Sequence, residues 1–418
     1  MKRYFTLLLS VVWFTALSQV DTTQQIIKGR KNSLLQQKKP YVIMISVDGM
    51  RYDYAKKYQA KNLLALGRTG TMATSMIPSY PSVTFPNHYT LVTGLYPSHH
   101  GMVGNRYYDR KFKEIYTTRG KPVVEGKWYG GTPLWVLAEQ QQMLTASFYW
   151  VGSEAPIKGI YPTYYYKYNE KIGINDRIKT VVNWLKLPPA SRPHFITFYF
   201  PEVDHAGHKF GPNAPETRDA VLFIDSAVNQ LNKAVKATGL KVNFILVADH
   251  GMTNIDGNHT LSVPASIDTA KFKILNEGEL VQIYAKDTSA TLATYQELKK
   301  QAKDYSVYLR ANTPLSWHYN TANDRYNRIA DILLIPQHPK IFTSGSRKPN
   351  PGAHGYDPAL VKDMHATFLS WGPGFKSNLT IPTFQNVEIY PVVTQLLGLK
   401  ITQPVDGTKR LAHKILKK

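Results

Sequence analysis

Residues 41–48 read YVIMISVD, a mostly apolar run that ends in an aspartate. Such a run, bounded by polar or glycine-rich residues, is typical of a β-strand buried on both faces. Four more runs of this kind follow: Met143–Trp150, His194–Phe200, Val242–Ala248 and His365–Trp371. Helical stretches lie between them: Gly173–Leu185, Pro215–Thr238 and Val387–Leu397. Read as parallel strands that alternate with helices, they predict an α/β fold with a doubly wound, mostly parallel sheet flanked by helices.

Acidic residues follow three of the predicted strands. Asp48 comes directly after the first strand, Asp204 comes soon after HFITFYF, and Asp249 with His250 follows VNFILVA. Because ligands of such sheets bind beyond the carboxyl ends of the strands, we expect these groups to meet at one edge. Clustered carboxylates are unstable there without cations.

Two more histidines extend this set: His208, four residues after Asp204, and His354 in the turn GAHGYD. A single aspartate after a strand is more often a helix cap, and a single histidine more often a surface or core residue. The convergence of several strand ends favours a metal site instead. Mixed Asp/His coordination suits zinc, and two zinc ions a few ångströms apart assist in-line displacement at phosphorus.

A nucleophile candidate lies in the segment PSVTFPNHYTLVTGLYP. Thr84 precedes Pro86, and an apolar helical run follows. Threonine is a preferred helix cap and proline fits the first helical turn, so capping is one interpretation. The other is catalysis, because a helix N-terminus favours a phosphate group and zinc can hold a threonine hydroxyl as an alkoxide.

Composition narrows the chemistry further. The 418 residues include 51 Lys and Arg against 29 Asp and Glu, a net charge of +22, and no cysteine. The absence of cysteine excludes thiol catalysis and cysteine-ligated zinc, and it favours a bacterial envelope protein over an extracellular animal domain. The positive field concentrates anions such as phosphate esters, nucleic acid or lipid head groups without choosing among them.

The ends and the middle of the chain differ from this core. Residues 1–18 resemble a cleaved signal peptide, which predicts a secreted or periplasmic protein without a membrane span in the mature chain. The alternative is an uncleaved anchor, although the apolar run is shorter than the ~20 residues of a usual span. Residues 19–39 are expected to form a solvated basic linker, with a polyanion site at Lys28–Lys39 as the alternative. Residues 40–418 are expected to form the catalytic domain, with about 256–350 as an inserted, cap-like region.

Seven motifs occur in order: VDGMR, TFPNHYTLVTGLYP, GMVGN, SEAPIKGIYPTY, DHAGHKFGP, ADHGM and GAHGYDP. Together they resemble the nucleotide pyrophosphatase/phosphodiesterase family of the alkaline phosphatase superfamily, from about residue 41 to 375. The resemblance implies an alkaline phosphatase-like fold with two Zn²⁺. It assigns Asp204, His208 and His354 to one zinc, and Asp48, Asp249 and His250 to the other, with Thr84 bridging towards the second ion.

The resemblance also implies a reaction. Thr84 would displace an alcohol or nucleotide group to give a phosphothreonine, which water then hydrolyses to release a nucleoside 5′-monophosphate. Asn105 would bind a phosphoryl oxygen, and Phe85 and Tyr164 would flank the nucleobase. The expected partner is a nucleotide or another small phosphodiester, with no recognition of nucleic-acid sequence. The sequence gives no oligomeric state.

Other functions stay open. A sulfatase is disfavoured because it requires Cys or Ser at the position of Thr84. A phospholipid head-group phosphodiesterase or a phosphomonoesterase would use the same metals. From a different class, a non-catalytic polyanion-binding envelope protein could retain the fold. The complete set of costly polar residues argues against that last function, because a disused site has no reason to keep them.

Overall fold

A nine-stranded mixed β-sheet forms the centre of the molecule. The computed structural model describes residues 22–345 and 348–417, so the expected signal segment lies outside the described residues. In chain order the strands of this sheet are β1 (Gln25–Ile26), β2 (Tyr41–Val47), β3 (Thr71–Ala73), β4 (Thr145–Phe148), β5 (Tyr164–Tyr165), β6 (Phe195–Phe200), β7 (Val242–Val247), β8 (Phe368–Trp371) and β9 (Leu379–Ile381). Across the sheet they lie in the order β1-β5-β4-β6-β2-β7-β8-β3-β9.

The middle of the sheet is parallel, as predicted. Strands β5, β4, β6, β2 and β7 all run in one direction. Strand β8 differs: it pairs antiparallel with both β7 and β3. The expectation that the run 365–371 is a parallel strand is therefore wrong, because the long excursion after β7 brings the chain back to the sheet in the opposite direction.

Most helices flank this sheet, and the longest of them buries one apolar stripe. In the longest of them the buried apolar positions recur every three or four residues, at Val221, Ile224, Val228, Leu231 and Val235. The helices are α1 (Tyr54–Lys57), α2 (Lys61–Arg68), α3 (Thr84–Thr93), α4 (Pro97–His100), α5 (Leu134–Gln140), α6 (Ile174–Lys186), α7 (Glu202–Phe210), α8 (Pro215–Lys236), α9 (Thr291–Gln301), α10 (Ile389–Leu397) and α11 (Arg410–Ile415). The doubly wound α/β class predicted from the sequence is confirmed.

The described part of the basic segment 19–39 is not a free linker. Strand β1 pairs antiparallel with β5, so residues 25–26 extend the main sheet. Asn32 is buried, and its side chain bonds to the backbone of Pro189, Arg192 and Leu144. Hydrogen bonds of this kind are invisible in a local charge pattern, which is why the sequence suggested a solvated linker.

Most of the expected insertion packs around its own sheet. Four antiparallel strands, Phe272–Asn276, Val281–Ala285, Ile332–Pro336 and Tyr305–Leu309, lie in that spatial order. One face of this sheet packs with Leu298 of α9 in a core separate from the main one, whereas Tyr284 and Leu333 on the other face belong to the main core. No helix within the described ranges is long and apolar enough to cross a bilayer.

Candidate metal centre

Three of the sequence-predicted ligands meet beyond the carboxyl ends of β2 and β7. His250 Nε2 lies 2.9 Å from Asp249 Oδ2 and 3.4 Å from Asp48 Oδ1. All three side chains are almost fully buried. Their ligand atoms are close enough to one another to share one cation.

The other three ligands lie beside the first group. Asp204 and His208 stand one helical turn apart on α7, with Oδ1 and Nε2 separated by 3.4 Å. His354 Nε2 lies 3.6 Å from the same Asp204 oxygen and 3.0 Å from His208 Nε2. The rings of His250 and His354 stack with centroids 3.6 Å apart, so the two groups adjoin.

The close approach of the two groups depends on Gly49. Its φ of +66° suits glycine, and a Cβ there would lie 2.9 Å from Asp204 Cα. Its N–H also donates to Asp249 Oδ1 at 3.2 Å. A residue with a side chain at this turn would push α7, and with it Asp204, away from the strand ends.

The backbone fixes the orientation of every histidine in this set. The three Nδ1 atoms each lie within hydrogen-bond distance of a main-chain carbonyl: His208 with Gly352, His250 with Gly251 and His354 with Ser82. With Nδ1–H donating, each Nε2 is left with its lone pair directed into the cluster. This arrangement is typical of histidines that ligate a metal.

Three carboxylate oxygens in the centre are buried without a hydrogen-bond donor in the described part of the chain. They are Asp48 Oδ1, Asp204 Oδ1 and Asp249 Oδ2. Burial, with the charges of Asp249 and Asp204, raises the pKa of Asp48 well above its ordinary value. Buried carboxylates aimed at one another need cations, so the donor set fits the two Zn²⁺ that the sequence predicts.

Thr84 lies at the edge of this centre. Its Oγ1 is 3.1 Å from His250 Nε2. Thr84 is the first residue of α3 and Val83 holds the cap position, so the Thr84 hydroxyl does not cap the helix. The sequence left open that Thr84 caps the helix, and in the structure its side chain does not do so.

Asn105 closes the N-terminus of α3 from the other side. Its Oδ1 accepts a hydrogen bond from the N–H of Phe85 at 2.9 Å. Its Nδ2 has no hydrogen-bond partner among the described residues and is available to a ligand. The backbone N–H of Phe85 is thus occupied by Asn105, while the side-chain NH₂ group of Asn105 remains a donor.

One buried residue of the site escaped the sequence reasoning. His88 lies one turn after Thr84 in α3, with Nδ1 3.0 Å from the carbonyl of Thr84 and 3.2 Å from Asp249 Oδ2. Its Nε2 is 2.8 Å from the hydroxyl of Ser46. The i, i+4 spacing from Thr84 is the signal that could have found it, because this spacing puts both residues on one helix face.

An aromatic cavity of about 190 Å³ opens beside Thr84. Phe85 and Tyr168 both line it, together with Tyr149 and Trp150. The Tyr168 N–H donates to Glu154 Oε1 at 2.7 Å, which fixes the loop that carries this tyrosine. Phe85 thus lies where the sequence predicts an aromatic side chain for a base.

Tyr164 does not lie in this cavity, which corrects its predicted position. It belongs to β5, its ring packs in the main core near Trp184, and its hydroxyl donates to the carbonyl of Ser191 at 2.8 Å. Tyr168, four residues later and beyond the strand, lines the cavity instead. The tyrosine-rich sequence around Tyr164 does not indicate which of its rings lies outside the sheet.

A second cavity, of about 290 Å³, opens on the other side of the centre. Asn105, His208 and His354 line it together with Glu277 and Glu279. Lys158 lies in neither cavity, and its ammonium group donates to Thr132 Oγ1 at 2.6 Å.

Comparisons with known proteins identify relatives of this chain. A family model described as type I phosphodiesterase / nucleotide pyrophosphatase matches residues 42–357. The chain is 35% identical to a venom phosphodiesterase of Macrovipera lebetinus, over 90% of this chain and 45% of that protein. It is 32% identical to human ectonucleotide pyrophosphatase/phosphodiesterase family member 1, over 90% of this chain and 42% of that protein. It therefore spans less than half the length of these relatives.

A solved structure, murine ectonucleotide pyrophosphatase/phosphodiesterase 5, matches with a TM-score of 0.84 at 26% identity, over 90% of this chain and all of the other. Another describes an inactive threonine-to-alanine variant of the murine protein in complex with AMP. Fold and site define an α/β protein with an Asp/His centre beyond the sheet. The chain belongs to the type I phosphodiesterase / nucleotide pyrophosphatase family. The relatives named here come from snakes and mammals and give no support to the expected bacterial origin.

Proposed function

We propose that this protein hydrolyses phosphodiester and pyrophosphate bonds of nucleotides, releases nucleoside 5′-monophosphates and uses Thr84 as its nucleophile. The observation that carries the proposal is the position of Thr84 Oγ1, 3.1 Å from His250 Nε2 at the edge of the Asp/His centre. Family membership supports the reaction class. The alternatives that share the fold are outcomes of the tests below.

Two Zn²⁺ are the proposed cofactors. Asp204, His208 and His354 would hold one ion, and Asp48, Asp249 and His250 the other. Bound there, the ions would supply Lewis-acid stabilisation of the charge that develops on the attacking and leaving oxygens. The orphaned carboxylate oxygens and the inward Nε2 atoms support this assignment.

The nucleophilic step forms a bond between Thr84 Oγ and phosphorus, and the bond to the leaving oxygen breaks. The Thr84 proton ends on the leaving oxygen, and the electron pair of the broken bond leaves with the alcohol or phosphate group. Water then attacks the phosphothreonine, its oxygen joins the released monophosphate, and the Thr84 hydroxyl is restored. His88 holds the first turn of α3 through the Thr84 carbonyl and thereby orients the nucleophile.

Charge on the phosphoryl group is stabilised from two directions. Asn105 Nδ2 is a free donor beside the N-terminus of α3. The helix end itself carries partial positive charge, which favours an anion at Thr84. Donors fixed in this way stabilise a transition state without reorganisation.

The aromatic cavity supports a nucleotide as substrate. Phe85 and Tyr168 line one cavity that starts at Thr84. Flat aromatic faces stack on any base, which gives affinity with little base preference. Because Lys158 lines neither cavity beside the centre, it is not placed to neutralise a second phosphate charge. Both points favour a diester over a simple monoester.

A substrate panel tests the proposal. Nitrophenyl esters of a nucleoside 5′-monophosphate, simple nitrophenyl phosphate and a choline lipid would be compared at equal concentration. We expect the nucleotide ester to react far faster than the other two. A preference for the choline lipid would favour a lipid phosphodiesterase. Equal rates on mono- and diesters would favour a phosphomonoesterase. If no substrate is hydrolysed, the result would favour a non-catalytic protein.

We also propose that the protein is exported, in keeping with the apolar N-terminal run of the sequence. N-terminal sequencing of the protein from its native host tests this. A mature protein that starts near residue 19 is expected, and one that retains residues 1–18 would favour the uncleaved anchor.

A further inference from the structure

The edge of the main sheet that lies opposite the metal centre is strongly basic. Strands β2, β6 and β7 are parallel and adjacent, and the metal centre lies beyond their carboxyl ends. Their amino ends form the opposite edge. Lys38 and Lys39 precede β2, Arg192 precedes β6 and Lys241 precedes β7.

The end of the chain adds to this edge. Strand β8 runs antiparallel to β7, so the residues that follow β8 return to the amino ends of the parallel strands. The Gly374 N–H donates to Asn243 Oδ1 at 2.7 Å, and the Lys417 N–H donates to the Gly374 carbonyl at 2.9 Å. These contacts bring Lys376 and the end of α11 to the same side.

Helix ends supply more cations. Helix α6 ends at Lys186, and α8 ends at Lys236, shortly before Lys241 and β7. Their last carbonyls carry partial negative charge, which favours lysine at these positions. The basic face consists of Lys38, Lys39, Lys186, Arg192, Lys233, Lys236, Lys241, Lys376, Lys414 and Lys417.

The segments that form the basic face contain no acidic residue. Residues 31–39, 186–194, 233–241, 372–381 and 409–417 include neither Asp nor Glu. Arg30, just before the first of these segments, is already paired with Glu139 at 3.3 Å and is therefore not counted. These segments thus supply no carboxylate to neutralise the positive charge of the basic face, and this charge attracts an anionic surface.

Two exposed leucines stand within this face. Leu34 is 81% exposed and Leu35 is 67% exposed, and they lie between Lys31 and Lys38. Their neighbours hold this turn in place: Asn32 and Gln36 are buried, and Gln36 Nε2 donates to the carbonyl of Gln141 at 2.9 Å. The leucines are therefore presented to solvent by an anchored backbone.

We propose that the basic face docks onto a bilayer that contains anionic phospholipids, with Leu34 and Leu35 inserted among the head groups. Lysines attract the negative surface, and apolar side chains within such a cluster gain from contact with acyl chains. A nucleic acid backbone would satisfy the lysines but offers no apolar phase for two leucines. Docked in this way, the metal centre faces away from the membrane, towards soluble substrates.

Vesicle co-sedimentation of the whole protein tests the proposal. We expect binding to phosphatidylglycerol-containing vesicles, little binding to pure phosphatidylcholine, and loss of binding as salt rises from ~0.1 M to ~1 M. Leu34→Ser/Leu35→Ser and Lys38→Glu/Lys241→Glu should each weaken binding by roughly tenfold. Nucleotide-ester hydrolysis in solution should not change in either variant.

Matched controls lie far from this face. Leu360 is 83% exposed, and Lys300 and Lys303 are exposed in and just after α9. Leu360→Ser and Lys300→Glu/Lys303→Glu should bind vesicles like the unaltered protein. Three results would each overturn the proposal: equal binding to both vesicle types, an equal loss of binding in the control variants, or binding to heparin and single-stranded DNA without binding to vesicles.

Discussion

Gly49 lies against the backbone of Asp204, with no room for a Cβ between them. We predict that Gly49→Ala lowers stability by about 1–3 kcal/mol, through its φ of +66° and the contact with α7, and weakens metal binding. Thermal unfolding and metal content measure this. Gly159→Ala is the control, since Gly159 also has positive φ but no atom within 4 Å of a Cβ. Equal metal affinity in both variants would contradict the role given to the Gly49–Asp204 contact.

Metal removal is the second prediction. Because one oxygen of each of three carboxylates lies buried without a donor in the described structure, exhaustive chelation should abolish hydrolysis and lower the melting temperature. Zinc should restore both, with about two ions per chain by elemental analysis. Full activity in metal-free protein would refute the two-zinc assignment.

The two tyrosines give a third prediction. Tyr168→Ala should reduce kcat/KM for a nucleotide ester by ~1–3 kcal/mol of transition-state binding, because a stacking face is lost. Tyr164→Ala should instead lower the free energy of unfolding, since it removes a buried ring and the hydrogen bond to Ser191. If Tyr164→Ala changed specificity while Tyr168→Ala did not, the base slot would be wrongly placed.

The fourth prediction concerns pH and the metal-free protein. Burial raises the pKa of Glu277 from its ordinary value of 4.5 to about 7. Between these values the folded chain holds a proton that the unfolded chain releases, so stability falls as pH rises through this window. Glu277→Gln should flatten this fall by up to about 2 kcal/mol in urea unfolding at several pH values. The exposed Glu297→Gln is the control, and an unchanged slope in Glu277→Gln would contradict the prediction.

Much of the fold follows from local pattern. The bounds of β2 were predicted from its apolar run, and Asp48, Asp204, Asp249 and His250 were proposed as ligands because strand ends of a parallel sheet share an edge. His208 and His354 were added from their positions four residues after Asp204 and in the turn GAHGYD, and the division of the six residues between two ions came from the family resemblance. The direction of β8 was not predictable, since it depends on the path of more than a hundred intervening residues. The sequence pointed to Tyr164 rather than Tyr168 because the position of the aromatic ring depends on where β5 ends. The hydrogen bonds of Asn32 were not predicted because its partners are distant in sequence.

Thr84 is the residue on which the proposed reaction depends most directly. Rapid acid quenching during turnover of a nucleotide ester, followed by mass spectrometry of the peptide that contains Thr84, measures the intermediate directly. We predict that Thr84 of the unaltered protein carries a phosphoryl group. In Thr84→Ala we expect no phosphorylated peptide, a kcat that is lower by ~10³-fold or more, and an intact fold. Two results together would contradict the role of Thr84 as nucleophile: a near-normal rate of turnover in Thr84→Ala, and no phosphothreonine in the unaltered protein.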